Sequence, residues 1–205
     1  MIQLCSPDKR PVILASASPR RVQILAQIGL VPDEIIPADI DETDLKGELP
    51  APYAKRMAHE KTALIAEKYP DAFVIGADTV VACGRRILPK AEESRTAKQC
   101  MSLLMGRAHR VYGGIALYNP QRQKISAKTS HSHVHIRRLD QKEMADYLAH
   151  GDWDGKAGGY AIQGAAAEFI TKIQGSYSQI MGLDIHLIAK MLKSAGFTKK
   201  ADPDA

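Results

Sequence analysis

Residues 12–29, VILASASPRRVQILAQIG, predict a buried strand that turns directly into a helix. The strand is the apolar run Val12–Ala15. Ser18 is typical of a helix N-cap, Pro19 suits the first helical position, and Gly29 can end the helix. Between these ends the apolar side chains recur at helical spacing and form one face. A strand followed at once by an amphipathic helix is a basic unit of an α/β fold.

Two cations, Arg20 and Arg21, fall in the first turn of this helix. The helix dipole and the free N–H groups already present positive charge there, so each cation costs roughly 0.3–1 kcal/mol. A helix N-terminus is also a ready site for phosphate, and flanking cations complete such a site when a polyanion binds. The pair therefore predicts either a phosphate-binding site or two side chains that project outward and tolerate a small penalty.

Helices and strands alternate along the rest of the chain, which predicts the α/β class. A near-continuous apolar run at 72–83 is typical of a central strand. Further helices are expected at 53–69, 94–105, 140–150 and 184–195. Further strands are expected at 109–119, 131–139 and 168–173, with a glycine-rich loop at 155–164 and a turn at 175–182. We expect loose ends at about 1–10 and 199–205.

The composition is that of an ordinary globular protein, with 45% hydrophobic and 25% charged residues. A chain of 205 residues can bury a substantial core, and we expect one domain over 1–205, built as two lobes. No apolar run approaches the ~20 residues of a membrane span, and the N-terminus does not resemble a signal peptide. Three cysteines without ligand spacing favour a reducing compartment. We therefore expect a cytoplasmic protein with no membrane partner.

The net charge of +5 permits an anionic partner. The basic residues are dispersed along the chain, and aromatic residues make up only 5% of it. A stacking platform for single-stranded nucleic acid is therefore not expected. These observations argue against nucleic acid and leave a nucleotide or a phosphorylated metabolite as the anion.

A carboxylate, Asp78, interrupts the apolar strand at 72–83. An unpaired buried charge costs several kcal/mol, so the sequence predicts that Asp78 meets a cation, a metal ion or a catalytic task. The alternative is that the strand ends at Ala77 and that Asp78 begins a turn. The apolar residues at 80–82 continue the strand pattern and disfavour that alternative.

Other charged residues could complete a site around Asp78. Lys61 lies on the apolar face of the helix at 53–69, where it either reaches the edge of that face or points into a cleft at an anion. Lys90 and the pair Asp41–Glu42 are each typical of solvated loops when taken alone. Carboxylate oxygens are also the ligands that Mg²⁺ and similar ions prefer. Together with the two arginines, these residues predict a phosphate-binding site that depends on a divalent metal.

Three histidines alternate along the strand predicted at 131–139, namely His131, His133 and His135. They could form a metal cluster, or they could be the wet outer face of a strand whose inner face is buried. We favour the wet face, because the residues between them are mostly apolar. The sequence contains no P-loop, no HExxH motif and no CxxC motif.

Over residues 12–196 the chain resembles the Maf family in six strings that occur in the family's order: LASASPRR (14–21), AHEKTALIA (58–66), VIGADTVV (74–81), GRAHRVYGGIAL (106–117), GGYAIQG (158–164) and GSYSQIMGL (175–183). The resemblance implies a mixed β-sheet with flanking helices, two lobes around a central cleft, and often a homodimer. It also implies a nucleoside triphosphate pyrophosphatase. Such an enzyme uses water and a divalent metal ion, Mg²⁺ or Mn²⁺, to release a nucleoside monophosphate and pyrophosphate.

The resemblance implies catalytic roles for four residues. Asp78 matches the family's general base, and Glu42 matches the acidic residue of its loop. Lys61 and Lys90 match a helix lysine and a loop lysine that face the phosphates. Asp78 and Glu42 are both candidate metal ligands, and the sequence leaves open which carboxylate binds metal and which activates water.

The resemblance also implies five residues that contact or select the substrate, namely Ser16, Arg20, Arg21, Thr79 and Gln163. The loop GYAIQG resembles the subgroup that acts on thymidine and uridine triphosphates. A second subgroup, associated with 7-methylguanosine triphosphate, differs in this loop. The alternatives to the pyrimidine enzyme are that second activity, a pyrophosphatase of broader range, and a nucleotide-binding regulator of septum formation without catalysis.

Overall fold

The computed structural model describes residues 2–201, and within them the chain alternates helices and strands. The six α-helices are α1 (Pro19–Gln27), α2 (Pro50–Lys68), α3 (Ser94–Leu104), α4 (Gln141–His150), α5 (Tyr177–Met181) and α6 (Ile185–Ser194). The eleven strands are β1 (Ile2–Cys5), β2 (Val12–Ala15), β3 (Glu34–Ile35), β4 (Phe73–Cys83), β5 (Arg86–Ile87), β6 (Lys90–Ala91), β7 (Arg107–Asn119), β8 (Lys124–Ile136), β9 (Lys156–Ala157), β10 (Ile170–Gln174) and β11 (Thr198–Ala201).

A seven-stranded mixed sheet forms the centre of the molecule, in the order β10-β8-β7-β4-β2-β3, with β5 added to β4. Strand β2 is parallel to β3 and β4, whereas the pairs β4–β7, β7–β8 and β8–β10 are antiparallel. Helix α2 packs closely on β4 and β7. Gly114 of β7 permits this contact, since a Cβ atom there would collide with the carbonyl oxygen of Ala54 in α2. The predicted α/β class with a mixed sheet is confirmed.

The apolar core is divided into three clusters of buried side chains. One lies around α1 and α6 and includes Leu25 and Ile188, and a second lies under α2 and includes Ile65. The third includes Met101 of α3 and Met144 of α4. The central strands β2 and β4 are therefore buried along almost their whole length, whereas β8 and β10 are largely exposed. The division into two lobes within one domain stays a prediction.

Most predicted elements are confirmed. Helix α4 begins with a capping box, in which the Asp140 carboxylate accepts a hydrogen bond from the backbone N–H of Glu143. Strand β8 begins at Lys124 instead of 131, because its polar first half pairs with β7. The expected turn at 175–182 contains the short helix α5, which Ser176 caps. Helix α2 begins at Pro50, since proline is tolerated in a first turn.

The chain ends correct a further expectation. Within the described residues, the segments predicted to be loose pair with each other, and β1 and β11 form a two-stranded antiparallel sheet. The backbone N–H of Leu4 also donates to the carbonyl of Gly29, which ties β1 to the end of α1. Residues 1 and 202–205 lie outside the described part of the chain. Among the described helices, none combines the length and the apolar character needed to cross a membrane.

Candidate active site

The candidate site lies where two partners of β4 leave a gap along one edge. Strand β2 pairs with β4 only as far as Gly76, and β5 joins that edge at Ala82. Between them, residues 77–81 have no strand neighbour on this edge within the described residues. A cavity of about 530 Å³ opens here, beside the start of α1. Ligands of open α/β sheets commonly bind in such a crevice at the carboxyl end of a parallel strand.

All nine predicted site residues line this one cavity: Ser16, Arg20, Arg21, Glu42, Lys61, Asp78, Thr79, Lys90 and Gln163. They come from the β2–α1 turn with the first turn of α1, the loop before α2, α2 itself, β4, β6 and the glycine-rich loop. Asp41 does not line the cavity. Its carboxylate is exposed and accepts a hydrogen bond from the backbone N–H of Thr43. Of the acidic pair, only Glu42 can reach a ligand in the cavity.

Asp78, Lys61 and Glu42 form a continuous chain of ion pairs. The Lys61 Nζ lies 2.7 Å from Asp78 Oδ1 and 2.7 Å from Glu42 Oε1. Glu42 Oε2 lies 2.6 Å from the Nζ of Lys90. Asp78 sits inside β4 and does not begin a turn, and Lys61 is 7% exposed and points inward. The alternative that the strand ends at Ala77 is therefore wrong, and so is the alternative that Lys61 only reaches the edge of its helix face.

The two lysines control the charge of Glu42. Partial burial disfavours the charged form, but the hydrogen bonds from Lys61 and Lys90 outweigh it and lower the pKa of Glu42 to about 2. Glu42 is therefore ionised at neutral pH. Two carboxylates face two ammonium groups, so this part of the cavity is close to neutral in the free protein.

The two arginines at the start of α1 differ. Arg21 turns inward, where its Nη1 donates to Ser16 Oγ (2.6 Å) and its Nε donates to the carbonyl of Gly182 (3.0 Å). Burial lowers the pKa of the Arg21 guanidinium, and the charge of Asp78 opposes this shift. Arg20 lines the cavity and has no hydrogen-bond partner for its side chain among the described residues.

Serine at this turn also behaves differently from the prediction. Ser18 is the N-cap residue of α1, but its side chain makes no capping hydrogen bond. Ser16 instead accepts a hydrogen bond from the backbone N–H of Ser18, at 3.2 Å, as well as the one from Arg21. The side chain of Ser18 is therefore not used to hold the turn.

Two tyrosines hold the glycine-rich loop in place, Tyr160 from within the loop and Tyr147 from α4. The Oη of Tyr160 lies 2.7 Å from Nε2 of the buried His109, and the Tyr147 hydroxyl donates to the carbonyl of Gly159 at 2.8 Å. Burial, with smaller effects of two neighbouring histidines, lowers the pKa of His109 to about 4, so this ring is neutral. The loop therefore presents Gln163, whose side chain is exposed, from a fixed backbone.

Comparison with known proteins identifies the family. A family model described as Maf-like protein matches residues 11–195. The chain belongs to the Maf family. A protein of Paramagnetospirillum magneticum named dTTP/UTP pyrophosphatase is 55% identical over 186 residues, which cover 91% of this chain and 97% of that protein. A protein of Rhodospirillum rubrum with the same name is 52% identical over 192 residues, which cover 94% and 91% of the two chains.

The cavity of this Maf protein also includes residues that sequence reasoning missed. Lys156 lines it from β9, which pairs with the strand that carries Lys90. Tyr160 and Val111 line its apolar wall. Lys156 resembles an ordinary loop lysine in the sequence, and no local signal marks it. Tyr160 lies in a string that was already noted, but its partner His109 is 51 residues away.

The three alternating histidines of this Maf protein lie away from the cavity. Val134 and Ile136, which alternate with them, are buried, whereas His131 and His135 are exposed. Within the described residues, no group of three or more His, Cys, Asp or Glu side chains could hold a metal ion. The exposure of His131 and His135 against the burial of Val134 and Ile136 agrees with the wet outer face.

Proposed function

We propose that this Maf protein hydrolyses dTTP and UTP to the nucleoside monophosphate and pyrophosphate. The observation that carries the proposal is Asp78, a carboxylate inside an apolar strand, paired with a lysine and facing a cavity that also collects two arginines. The two relatives that are 55% and 52% identical to this chain are both named dTTP/UTP pyrophosphatase. A site built only to bind an anion has no use for a carboxylate at this position.

The charges of the cavity suit a triphosphate. Arg20 has no anionic partner in the described part of the chain, and it stands beside the N–H groups at the start of α1. Lys61 and Lys90 face the same space, and each is engaged by a carboxylate in the free protein. Bringing a triphosphate of about four negative charges into this space therefore requires further positive charge near the carboxylates.

We propose that a divalent cation, Mg²⁺ or Mn²⁺, supplies that charge. Asp78 and Glu42 would hold the ion, and Asp78 Oδ2 has no hydrogen-bond partner among the described residues. Two carboxylates fit such an ion when phosphate oxygens and waters complete its coordination. When bound, it stabilises negative charge on the leaving pyrophosphate.

Asp78 acts as the general base in this proposal. It takes a proton from water while the water oxygen forms a bond to the α-phosphorus. The bond from the α-phosphorus to the bridging oxygen breaks, and that oxygen leaves with pyrophosphate. Lys61 holds the Asp78 carboxylate in position at 2.7 Å, and Arg20 and Arg21 orient the phosphates.

The pyrimidine preference rests on the glycine-rich loop. Gln163 offers one donor and one acceptor on a single amide, which suits the edge of uracil or thymine. Thr79 follows the general base in β4, and its hydroxyl lies 3.4 Å from the carbonyl of Gly182. We propose that these two side chains select the base.

We also propose a cytoplasmic location, since Cys5, Cys83 and Cys100 are all free thiols.

The test is incubation of the purified protein with a panel of triphosphates and Mg²⁺ or Mn²⁺, with both products identified. We expect pyrophosphate and monophosphate from dTTP and UTP at a kcat/KM about tenfold or more above that for purine triphosphates. Preference for 7-methylguanosine triphosphate would contradict the substrate assignment. Tight binding of triphosphates without turnover would favour a regulator over an enzyme.

A further inference from the structure

Glu42 lies in a segment that has no helix or strand of its own. Residues 36–49 connect β3 to α2, and only a turn at 46–47 interrupts their irregular path. A carboxylate on such a segment can serve a reaction only if the backbone beside it is held in place. The contacts that hold it come from the first turns of α2, from side chains that do not line the cavity.

Two side chains of α2 hold consecutive carbonyls of this segment. The Tyr53 hydroxyl donates to the carbonyl of Glu42 at 2.6 Å. The Nη2 of Arg56 donates to the next carbonyl, that of Thr43, at 3.1 Å. Tyr53 and Arg56 are three residues apart in a helix, so they share one side of α2. The backbone at Glu42 is therefore attached to the same helix that carries Lys61, the partner of its carboxylate.

Arg56 is itself rigidly oriented. Its Nε and Nη2 donate to the two carboxylate oxygens of Glu48, at 2.9 and 2.6 Å. The Glu48 side chain is 9% exposed and also accepts a hydrogen bond from the backbone N–H of Leu45. The Arg56 guanidinium lies 5.5 Å from the centre of the Tyr53 ring. A planar fork with two parallel hydrogen bonds is a geometry that lysine cannot reproduce.

The hydroxyl of Tyr53 remains a donor under all ordinary conditions. Burial, followed by the negative charges of Asp78 and Glu42, raises its pKa to about 12. Its bond goes to the backbone of Glu42 and leaves both carboxylate oxygens to Lys61 and Lys90. Tyr53 and Arg56 thus restrict the position of the Glu42 carboxylate without hydrogen-bonding to it.

We propose that Tyr53 and Arg56 are positioning residues that fix the Glu42 carboxylate for the divalent cation and the triphosphate. The inference rests on the proposed function for its kinetic consequence. Its structural consequence, the attachment of residues 41–48 to α2, can be measured without any substrate. Loss of either contact releases the backbone of Glu42 while the carboxylate itself remains.

The variants are Tyr53→Phe, which removes one hydroxyl, and Arg56→Lys, which keeps the charge and loses the fork. Tyr118→Phe is the matched control for the first, since it also removes a hydroxyl that donates to a backbone carbonyl, that of Pro70, away from the cavity. Arg137→Lys is the control for the second, because Arg137 makes a similar fork with Glu143. Melting temperatures establish that each variant is folded.

Amide hydrogen exchange gives the first measurement. We expect exchange at the hydrogen-bonded amides of this segment, those of Thr43, Leu45 and Glu48, to become at least about tenfold faster in Tyr53→Phe and Arg56→Lys, and to be unchanged in both controls. Unchanged exchange in folded Tyr53→Phe and Arg56→Lys would overturn the proposed attachment, whatever reaction the protein catalyses.

Kinetics give the second measurement, with Glu42→Gln as the reference background. Tyr53→Phe should lower kcat/KM for UTP about tenfold and raise the Mg²⁺ concentration needed for half-maximal rate. In the Glu42→Gln background the same change should cost less than about twofold, because the carboxylate it positions is gone. Equal losses in both backgrounds would overturn the positioning role. A wild-type protein that cleaves no triphosphate would instead overturn the proposed function, and the exchange experiment would still decide the attachment.

Discussion

Replacement of Lys61 by methionine tests the central ion-pair chain. Lys61 bridges Asp78 and Glu42 at 2.7 Å each, and its side chain is 9% exposed. Methionine keeps most of the volume and removes the charge, which leaves the buried Asp78 carboxylate without its cation and Glu42 with Lys90 alone. Removing one partner of a buried ion pair typically costs about 3–5 kcal/mol. We expect Lys61→Met to lower the free energy of unfolding by about 3 kcal/mol at pH 7.

The share of Glu42 in that loss follows from its pKa. Lowering the pKa from 4.5 to about 2 corresponds to roughly 3 kcal/mol in a fully buried group. The Glu42 side chain is 35% exposed, so solvent screening reduces this to about 1–2 kcal/mol, which Lys61 shares with Lys90. Because the folded-state pKa is the lower one, this stabilisation is present above about pH 4.5 and is lost as the pH falls towards 2.

The assay is urea denaturation of the wild type and of Lys61→Met at pH 7 and at pH 3. The deficit of the variant should shrink at pH 3, because part of the stabilisation that Glu42 contributes is already lost below pH 4.5. Lys55→Met, at an exposed position on the same helix, is the control and should change stability by less than about 0.5 kcal/mol at both pH values. If Lys61→Met lost no more unfolding free energy than the control, or lost more at pH 3 than at pH 7, the proposed role of the ion-pair chain would be contradicted.

Three further predictions concern the cavity. Asp78→Asn should keep the fold and lower turnover at least ~100-fold, as measured by pyrophosphate release; near-normal rates in the folded variant would move the general base elsewhere. Arg20→Ala should raise KM with no loss of stability, whereas Arg21→Ala should also destabilise the protein by about 1–2 kcal/mol, because Arg21 donates to Ser16 and Gly182. Equal melting temperatures for the two would contradict this difference. Gln163→Ala should lower kcat/KM for dTTP and UTP and leave purine triphosphates nearly unchanged, so an equal loss for both classes would argue against base recognition by Gln163.

Local patterns were sufficient for much of the fold. The run at 72–83 became the central strand β4, and the pattern at 18–29 became α1 with Ser18 and Pro19 at its start. Periodicity failed where the signal was not local. The first half of β8 is polar, because one face of it is exposed and its strand conformation comes from pairing with β7. The C-terminal segment is polar as well, and it forms a strand only because it meets β1.

The candidate site was predictable as a set of misfits. Asp78 in an apolar strand and Lys61 on an apolar helix face each predict a partner, since an isolated buried charge is too costly to keep. The sequence could not say who the partners were. Lys61 and Asp78 are 17 residues apart, and Lys90 and Glu42 are 48 residues apart. The anchors Tyr53 and Arg56 carried no signal, because a tyrosine and an arginine on the polar side of a helix are ordinary.

Local sequence patterns specify most of the elements, their order, and the charged residues that need a partner. All of these depend on local periodicity and on the cost of burying charge, which can be judged from neighbouring residues. Long-range packing ends the pairing of β2 with β4 at Gly76, opens a cavity beside residues 77–81, and brings nine side chains from six segments to it. It also decides that Arg21 turns inward while Arg20 faces the cavity. These outcomes depend on sheet order and register, which arise from contacts between residues far apart in the chain.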